Sequence, residues 1–155
     1  MISQMDQAHD EEAVQTFIDE ISDAEERGDY SDINRKSIEN RLRWYEEHKD
    51  EIVLNGTDVR KAYTLVMLEF MKIDPEEVPV VYEDENKIIW RSYNWCPILE
   101  ACKRTGHDTR KVCKLGEETS VQLMIEKINP KLRYTRNYDR IRPHTDFCEE
   151  IIYLE

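Results

Sequence analysis

Three of the four cysteines, Cys96, Cys102 and Cys113, share one stretch, and Cys148 follows near the C-terminus. Near them in sequence stand Glu117, His144 and a cationic run of Arg133, Arg136, Arg140 and Arg142. Thiols, a carboxylate and an imidazole are the groups needed for nucleophilic attack with proton transfer, or for holding a soft metal ion. Cys96 precedes Pro97, a residue favoured at the first position of a helix. That puts Cys96 at an N-cap, where unpaired N–H groups and the helix dipole favour a thiolate. Cys113 and Glu117 are four residues apart and share a face if their helix runs through Gly116. So placed, they would be nucleophile and proton carrier, or two metal ligands. Cys102 falls on the opposite side of its helix from Cys96 and reads as core packing. His107 follows Gly106 in a loop and reads as exposed.

His144 and Cys148 flank the entry to the last strand, where imidazole would serve as acid, base or ligand. Zinc would accept Cys96, Cys113, Cys148 and His144 as a Cys3His set. The chain has no Cys-x2-Cys pair, so no cofactor is predicted and zinc is kept as the alternative reading. One or two of Arg133, Arg136, Arg140 and Arg142 would fork onto a substrate carboxylate, or all four are solvated strand and turn charges. Trp95, with Trp90 and Tyr93, would wall an apolar pocket or fill the core. The catalytic candidates are therefore Cys96, Cys113, Glu117, His144 and Cys148, with the four arginines and Trp95 as substrate-binding candidates. The sequence contains no glycine-rich phosphate loop, no Gly-x-Ser-x-Gly elbow and no His-Glu-x-x-His zinc helix.

The elements that must position these groups are legible from spacing. The 155 residues suit a single domain of helices followed by a sheet. Val14, Phe17, Ile18 and Ile21 predict a helix from about Asp10 to Arg27, ended by Gly28. A second helix, capped by Ser31 or Asp32, runs to about His48 or on to Leu54. Thr57 or Asp58 caps a third, from Val59 to about Lys72. Val78–Tyr82 and Lys87–Tyr93 read as a β-hairpin. Helices over 98–105, 109–115 and 117–128 follow, with Gly116 as a kink or break. Leu132–Asp139 and Phe147–Leu154 are two more strands. The expected fold is α+β: N-terminal helices packed on a four-stranded antiparallel sheet with a helical insertion between its hairpins.

Net charge is -12 and the sequence pI about 4.8, which argues against binding nucleic acid through its phosphates. The charge is uneven. Residues 1–60 hold seventeen acids against seven bases, whereas residues 103–142 hold eleven bases against five acids. The basic segment would hold an anionic small molecule or pair with the acidic half. No apolar run is long enough to span a membrane, and the N-terminus does not read as a secretory signal. A cytoplasmic chain with unpaired thiols is the expectation; homo-oligomers are left open.

Four segments together resemble the L-2-amino-thiazoline-4-carboxylic acid hydrolase family. They are Asn94-Trp95-Cys96-Pro97-Ile98-Leu99-Glu100-Ala101-Cys102-Lys103, Val112-Cys113-Lys114, the run from Ile128-Asn129-Pro130 to Asn137-Tyr138, and Ile141-Arg142-Pro143-His144-Thr145-Asp146-Phe147-Cys148-Glu149-Glu150. The likeness covers about the last 60 residues. The pattern is also similar to the 4-vinyl reductase type of small-molecule-binding domain. Where many relatives carry an Asp beyond the middle cysteine, this chain has Gly116-Glu117-Glu118. The resemblance implies an α+β fold around a pocket and hydrolytic opening of a carboxylated thiazoline ring. A non-catalytic binding or sensing domain is the alternative.

Overall fold

A computed structural model describes residues 10–155. The two N-terminal helices are α1 (Glu11–Arg27) and α2 (Ser31–His48). The Asp10 carboxylate accepts from Ala13 N at 2.9 Å to start α1, and Gly28 in the left-handed region ends it. Helix α2 begins at Ser31, but its first turn is satisfied from outside: Asp29 Oδ1 accepts from Ser31 N at 2.9 Å. Neither Ser31 nor Asp32 is the cap, and the helix stops at His48 rather than Leu54.

The third helix departs most from the sequence reading. Its first part, α3 (Asp58–Tyr63), is an α-helix capped by Thr57. From Thr64 to Phe70 the chain winds as a π-helix, closing with Met71 N donating to Val66 O at 3.1 Å. Such widened turns are rare and are found mostly at functional sites. After a short 3-10 turn (Pro75–Glu77) come β1 (Val80–Glu83) and β2 (Lys87–Ser92). Helices α4 (Pro97–Thr105), α5 (Thr109–Gly116) and α6 (Glu118–Ile125) then precede β3 (Leu132–Arg136) and β4 (Cys148–Leu154).

The expected α+β architecture is present, with an antiparallel sheet ordered β1-β2-β4-β3. The two hairpins join through β2 and β4, so the register sets Trp90 opposite Glu150 and Glu150 opposite Arg136, a row across three strands. One row along, Ser92 faces Cys148. Because side chains alternate with period two, these rows share the inner face with Ile88, Ile152, Leu132 and Tyr134. That face packs on α3, the π-helix and α6 in the main core. A second core joins α1 and the start of α2 to α4 and α5, with Cys102 inside it. No helix among the described residues is long and apolar enough to cross a membrane.

Candidate functional site

A cavity holding about 600 Å³ of empty space, its open mouth included, lies between the inner face of the sheet and the helices. Its apolar wall comes mainly from Val66, Met67 and Met71 of the π-helical region, with Leu99, Val121 and Ile141. Cys96, Cys113 and Cys148 all reach it. Arg136 and Arg142 line it as well, joined by Arg41 from the middle of α2.

The floor is a hydrogen-bonded network around Glu150, a residue only 5% exposed. Its Oε2 accepts from Trp90 Nε1 at 3.1 Å and Ser92 Oγ at 2.5 Å. Its Oε1 accepts from Tyr134 OH at 2.6 Å and lies 3.5 Å from Arg136 Nε. Arg136 Nε donates to Tyr134 OH at 2.7 Å. Burial lifts the Tyr134 hydroxyl well above the usual phenol range, Arg136 opposing and Glu150 adding to the shift, so it stays a phenol. Burial alone would lower Arg136, but Tyr134, Cys113 and the Glu150 carboxylate outweigh it and raise Arg136 well above the usual guanidinium range, so it stays charged. Among the described residues, the terminal guanidinium nitrogens of Arg136 meet no protein acceptor.

Arg41 is held from the opposite side. Its Nε donates to Ser120 Oγ at 2.9 Å, its Nη2 lies 3.8 Å from Glu117 Oε2, and its plane covers the Phe70 ring at 4.6 Å. Ser37 joins the set, donating to Glu117 at 2.8 Å and meeting Ser120 at 2.7 Å. Burial pulls Arg41 down from the usual guanidinium range and Glu117 opposes this; arginine keeps its charge regardless. Arg41 is 7% exposed, and its Nη1 has no protein partner among the described residues. Asn94, 6% exposed, also lines the cavity, and its Oδ1 has no protein partner among the described residues.

The thiols differ in their surroundings. Cys96 does stand at the N-cap of α4, but enclosure pushes its thiol up, outweighing the N–H groups of Leu99 and Ile98 and the Arg142 charge. The expected thiolate is thus disfavoured there by burial. Burial pushes Cys113 up to about 12, Arg136 opposing. Cys148 has two donors aimed at its sulfur, the backbone N and Nε of Arg142, each at 3.4 Å. Arg142 is pinned in turn, with Nη1 donating to Asn94 O at 2.6 Å and its carbonyl accepting from Thr109 Oγ1 at 2.7 Å.

Of the sequence candidates, Cys96, Cys113, Cys148, Arg136 and Arg142 converge on the cavity. The others are placed elsewhere. Helix α5 includes Gly116 and breaks one residue later, at Glu117. A Cβ on Gly116 would come 3.0 Å from Ile33 Cγ2, so α2 and α5 approach there closely. Glu117 reaches Ser37 and Arg41 rather than the cavity, which leaves it positioning Arg41. His144 is exposed, 3.7 Å from Asp108. Arg133 pairs with Glu155 at 2.6 Å, Arg140 is exposed, and Trp95 packs against the second core. His107 is half-buried, 3.4 Å from Ser22 on α1, rather than exposed. A Cys3His zinc set does not fit this arrangement. His144 is turned to Asp108, a guanidinium faces Cys148, and no group of three or more His, Cys, Asp or Glu among the described residues is placed to hold a metal ion.

The sequence reading missed Arg41, Glu150, Ser92 and Asn94. Two of these carried a signal. Glu150 is in phase with Ile152 and Cys148 on a strand of period two, and Arg41 follows Ile33 and Ser37 at steps of four on a helix. A charge in phase with apolar positions marks a buried polar site.

No protein-family model, curated protein or solved structure matches this chain. The resemblance to the thiazoline hydrolase family rests on the residues quoted above.

Proposed function

We propose that this protein binds a small anionic molecule, with a carboxylate held between Arg41 and Arg136. The observation that carries this reading is a pair of largely buried guanidinium groups, from α2 and β3, lining one cavity that has an apolar wall; among the described residues Arg41 Nη1 is buried with no protein acceptor, and the terminal nitrogens of Arg136 meet none either. A buried donor without a partner costs ~1–3 kcal/mol, more for a charged group. A ligand carboxylate removes that cost and forms charge-assisted bonds. The aliphatic and thioether wall suits a small apolar body. Calorimetric titration with 4-methylpentanoate and with its amide tests this. Saturable binding of the acid alone supports the reading; equal binding of acid and amide, or none of either, contradicts it.

A second reading adds chemistry, favoured by the two N–H donors on Cys148. In it the Cys148 thiol adds to the C=N carbon of a carboxylated thiazoline ring and its proton passes to the ring nitrogen; the ring C–N bond then breaks with that nitrogen leaving as an amine, and water displaces the Cys148 sulfur from the carbon, restoring the thiol. Glu117 and His144 lie off the cavity, so the proton carrier in this reading is solvent. Loss of 2-amino-thiazoline-4-carboxylate on incubation with purified protein tests it, and an undiminished rate in Cys148→Ser sinks the thiol mechanism.

A further inference from the structure

Two observations at the cavity go beyond the presence of an anion site, and they define its ligand more narrowly. The first is the charge balance. Arg41, Arg136 and Arg142 line the cavity, while the carboxylates beside it are Glu150 in the wall and Glu117 behind Arg41. Three guanidinium groups meet two carboxylates, leaving one positive charge. Uncompensated charge in a desolvated site is costly, so a ligand that supplies one negative charge, and no more, is favoured.

The second is Asn94. Its amide orientation is fixed, because Nδ2 donates to Trp95 O at 3.1 Å and a flipped amide would set oxygen against oxygen there. Its Oδ1 is therefore a buried acceptor, and no protein donor reaches it among the described residues. Asn94 and Arg41 both line the cavity, and among the described residues each has one buried atom without a protein partner, Asn94 Oδ1 and Arg41 Nη1. The two orphans have opposite hydrogen-bonding sense: one asks for an acceptor, the other for a donor. Arg142 Nη1 sits 2.6 Å from the carbonyl oxygen of Asn94, so a cationic ammonium brought to this residue would meet a like charge. The donor that suits Asn94 is neutral.

We infer that the cavity selects a monocarboxylate carrying a neutral N–H or O–H donor and an apolar body, as in a 2-hydroxy acid or an N-acylated amino acid. This rests on the anion-binding reading above and narrows it: Arg41 and Arg136 take the carboxylate, Asn94 takes the donor, and the Met67–Met71 wall takes the chain.

The test is a calorimetric comparison on the full-length wild-type protein of three probes with one carbon skeleton. They are 2-hydroxy-4-methylpentanoate, 4-methylpentanoate and leucine. The hydroxy acid is expected to bind about five- to tenfold more tightly than the plain acid, the effect of one net hydrogen bond to a buried acceptor. Leucine is expected to bind more weakly than either. In Asn94→Leu the hydroxy acid falls to the level of the plain acid. Equal affinity of hydroxy and plain acid for wild type overturns the inference while leaving the anion site standing, and that comparison does not depend on the variant folding. Tighter binding of leucine than of the hydroxy acid overturns the neutral-donor assignment. Failure of all three to bind overturns the inference and the anion site together.

Discussion

Replacing Glu150 by glutamine keeps the shape of the side chain and removes its charge, so it isolates what the carboxylate does. Glu150 is 5% exposed, with Trp90 and Ser92 donating to one oxygen, Tyr134 to the other, and Arg136 Nε 3.5 Å away. An amide has one oxygen and one NH2 group. Placed with nitrogen toward Trp90, it opposes an indole N–H that cannot turn round. Placed with nitrogen toward Tyr134, it forces the phenol to stop donating, and Arg136 loses its counter-charge in either orientation. Breaking a buried pair from one side costs about 3–5 kcal/mol. At roughly 2–4 °C per kcal/mol for a domain of this size, that is a fall in Tm of about 6–20 °C. Urea unfolding and thermal scans of Glu150→Gln against wild type measure it. Glu46→Gln, on an exposed carboxylate, serves as control and should change stability by less than about 0.5 kcal/mol. A Glu150→Gln protein within 1 kcal/mol of wild type would refute the claim that Glu150 neutralises Arg136, and the charge balance at the cavity would fail with it.

Alkaline pH should destabilise the fold. Burial pushes Cys102 and Cys113 up to about 12, so between roughly pH 9 and 12 the unfolded thiols ionise while the folded ones keep their protons. A raised folded pKa on an acid lowers stability as pH rises, by ~1.4 kcal/mol per pH unit for each thiol. Urea unfolding under reducing conditions at pH 8.5 and 10.5 reads this slope, and Cys102→Ala with Cys113→Ala should make it shallower, the raised Cys96 thiol and buried tyrosines keeping the remainder. Under native conditions iodoacetamide should label the half-buried Cys148 at least tenfold faster than the buried Cys113; mass spectrometry of the labelled peptides gives the order, and faster labelling of Cys113 would contradict the burial assigned to it. Arg41→Met should weaken 4-methylpentanoate binding by about tenfold or more, the scale of one charge-assisted hydrogen bond. The matched exposed change Arg140→Met should leave it unaltered, which titration of both variants checks.

The α+β architecture could be read from the sequence because the helices and strands carry clean periodicities and explicit stops such as Gly28, Gly106 and Asn129-Pro130. Cys96, Cys113 and Cys148 are site candidates by residue type alone; whether they meet is not legible from spacing, and the pairing of β2 with β4 is what brings Cys148 close to the segment that follows β2. The π-helix was not legible, since Thr64–Phe70 has the same apolar content as an α-helix and differs only in winding. Arg133 and Arg136 show why a basic run is ambiguous. They lie three residues apart on one strand, so they point to opposite faces: Arg133 to Glu155 at the surface, Arg136 to Glu150 inside. Arg41 was hidden for the converse reason. It is one of eight charged residues, four acids and four bases, on α2, and its phase with Ile33 is a weaker mark than the packing of α6 and Phe70 that makes it a site residue.

The central claim is that Arg41 and Arg136 hold a carboxylate, and a crystal of the protein soaked with a bromine-tagged aliphatic carboxylate tests it most directly. Anomalous scattering locates the bromine and the density orients the acid. The account predicts the carboxylate oxygens within hydrogen-bond distance of Arg41 and Arg136, with the bromine against Val66, Met67 or Met71. A carboxylate found instead at Arg133 or Arg140 on the surface, with the cavity empty of it, would contradict the account.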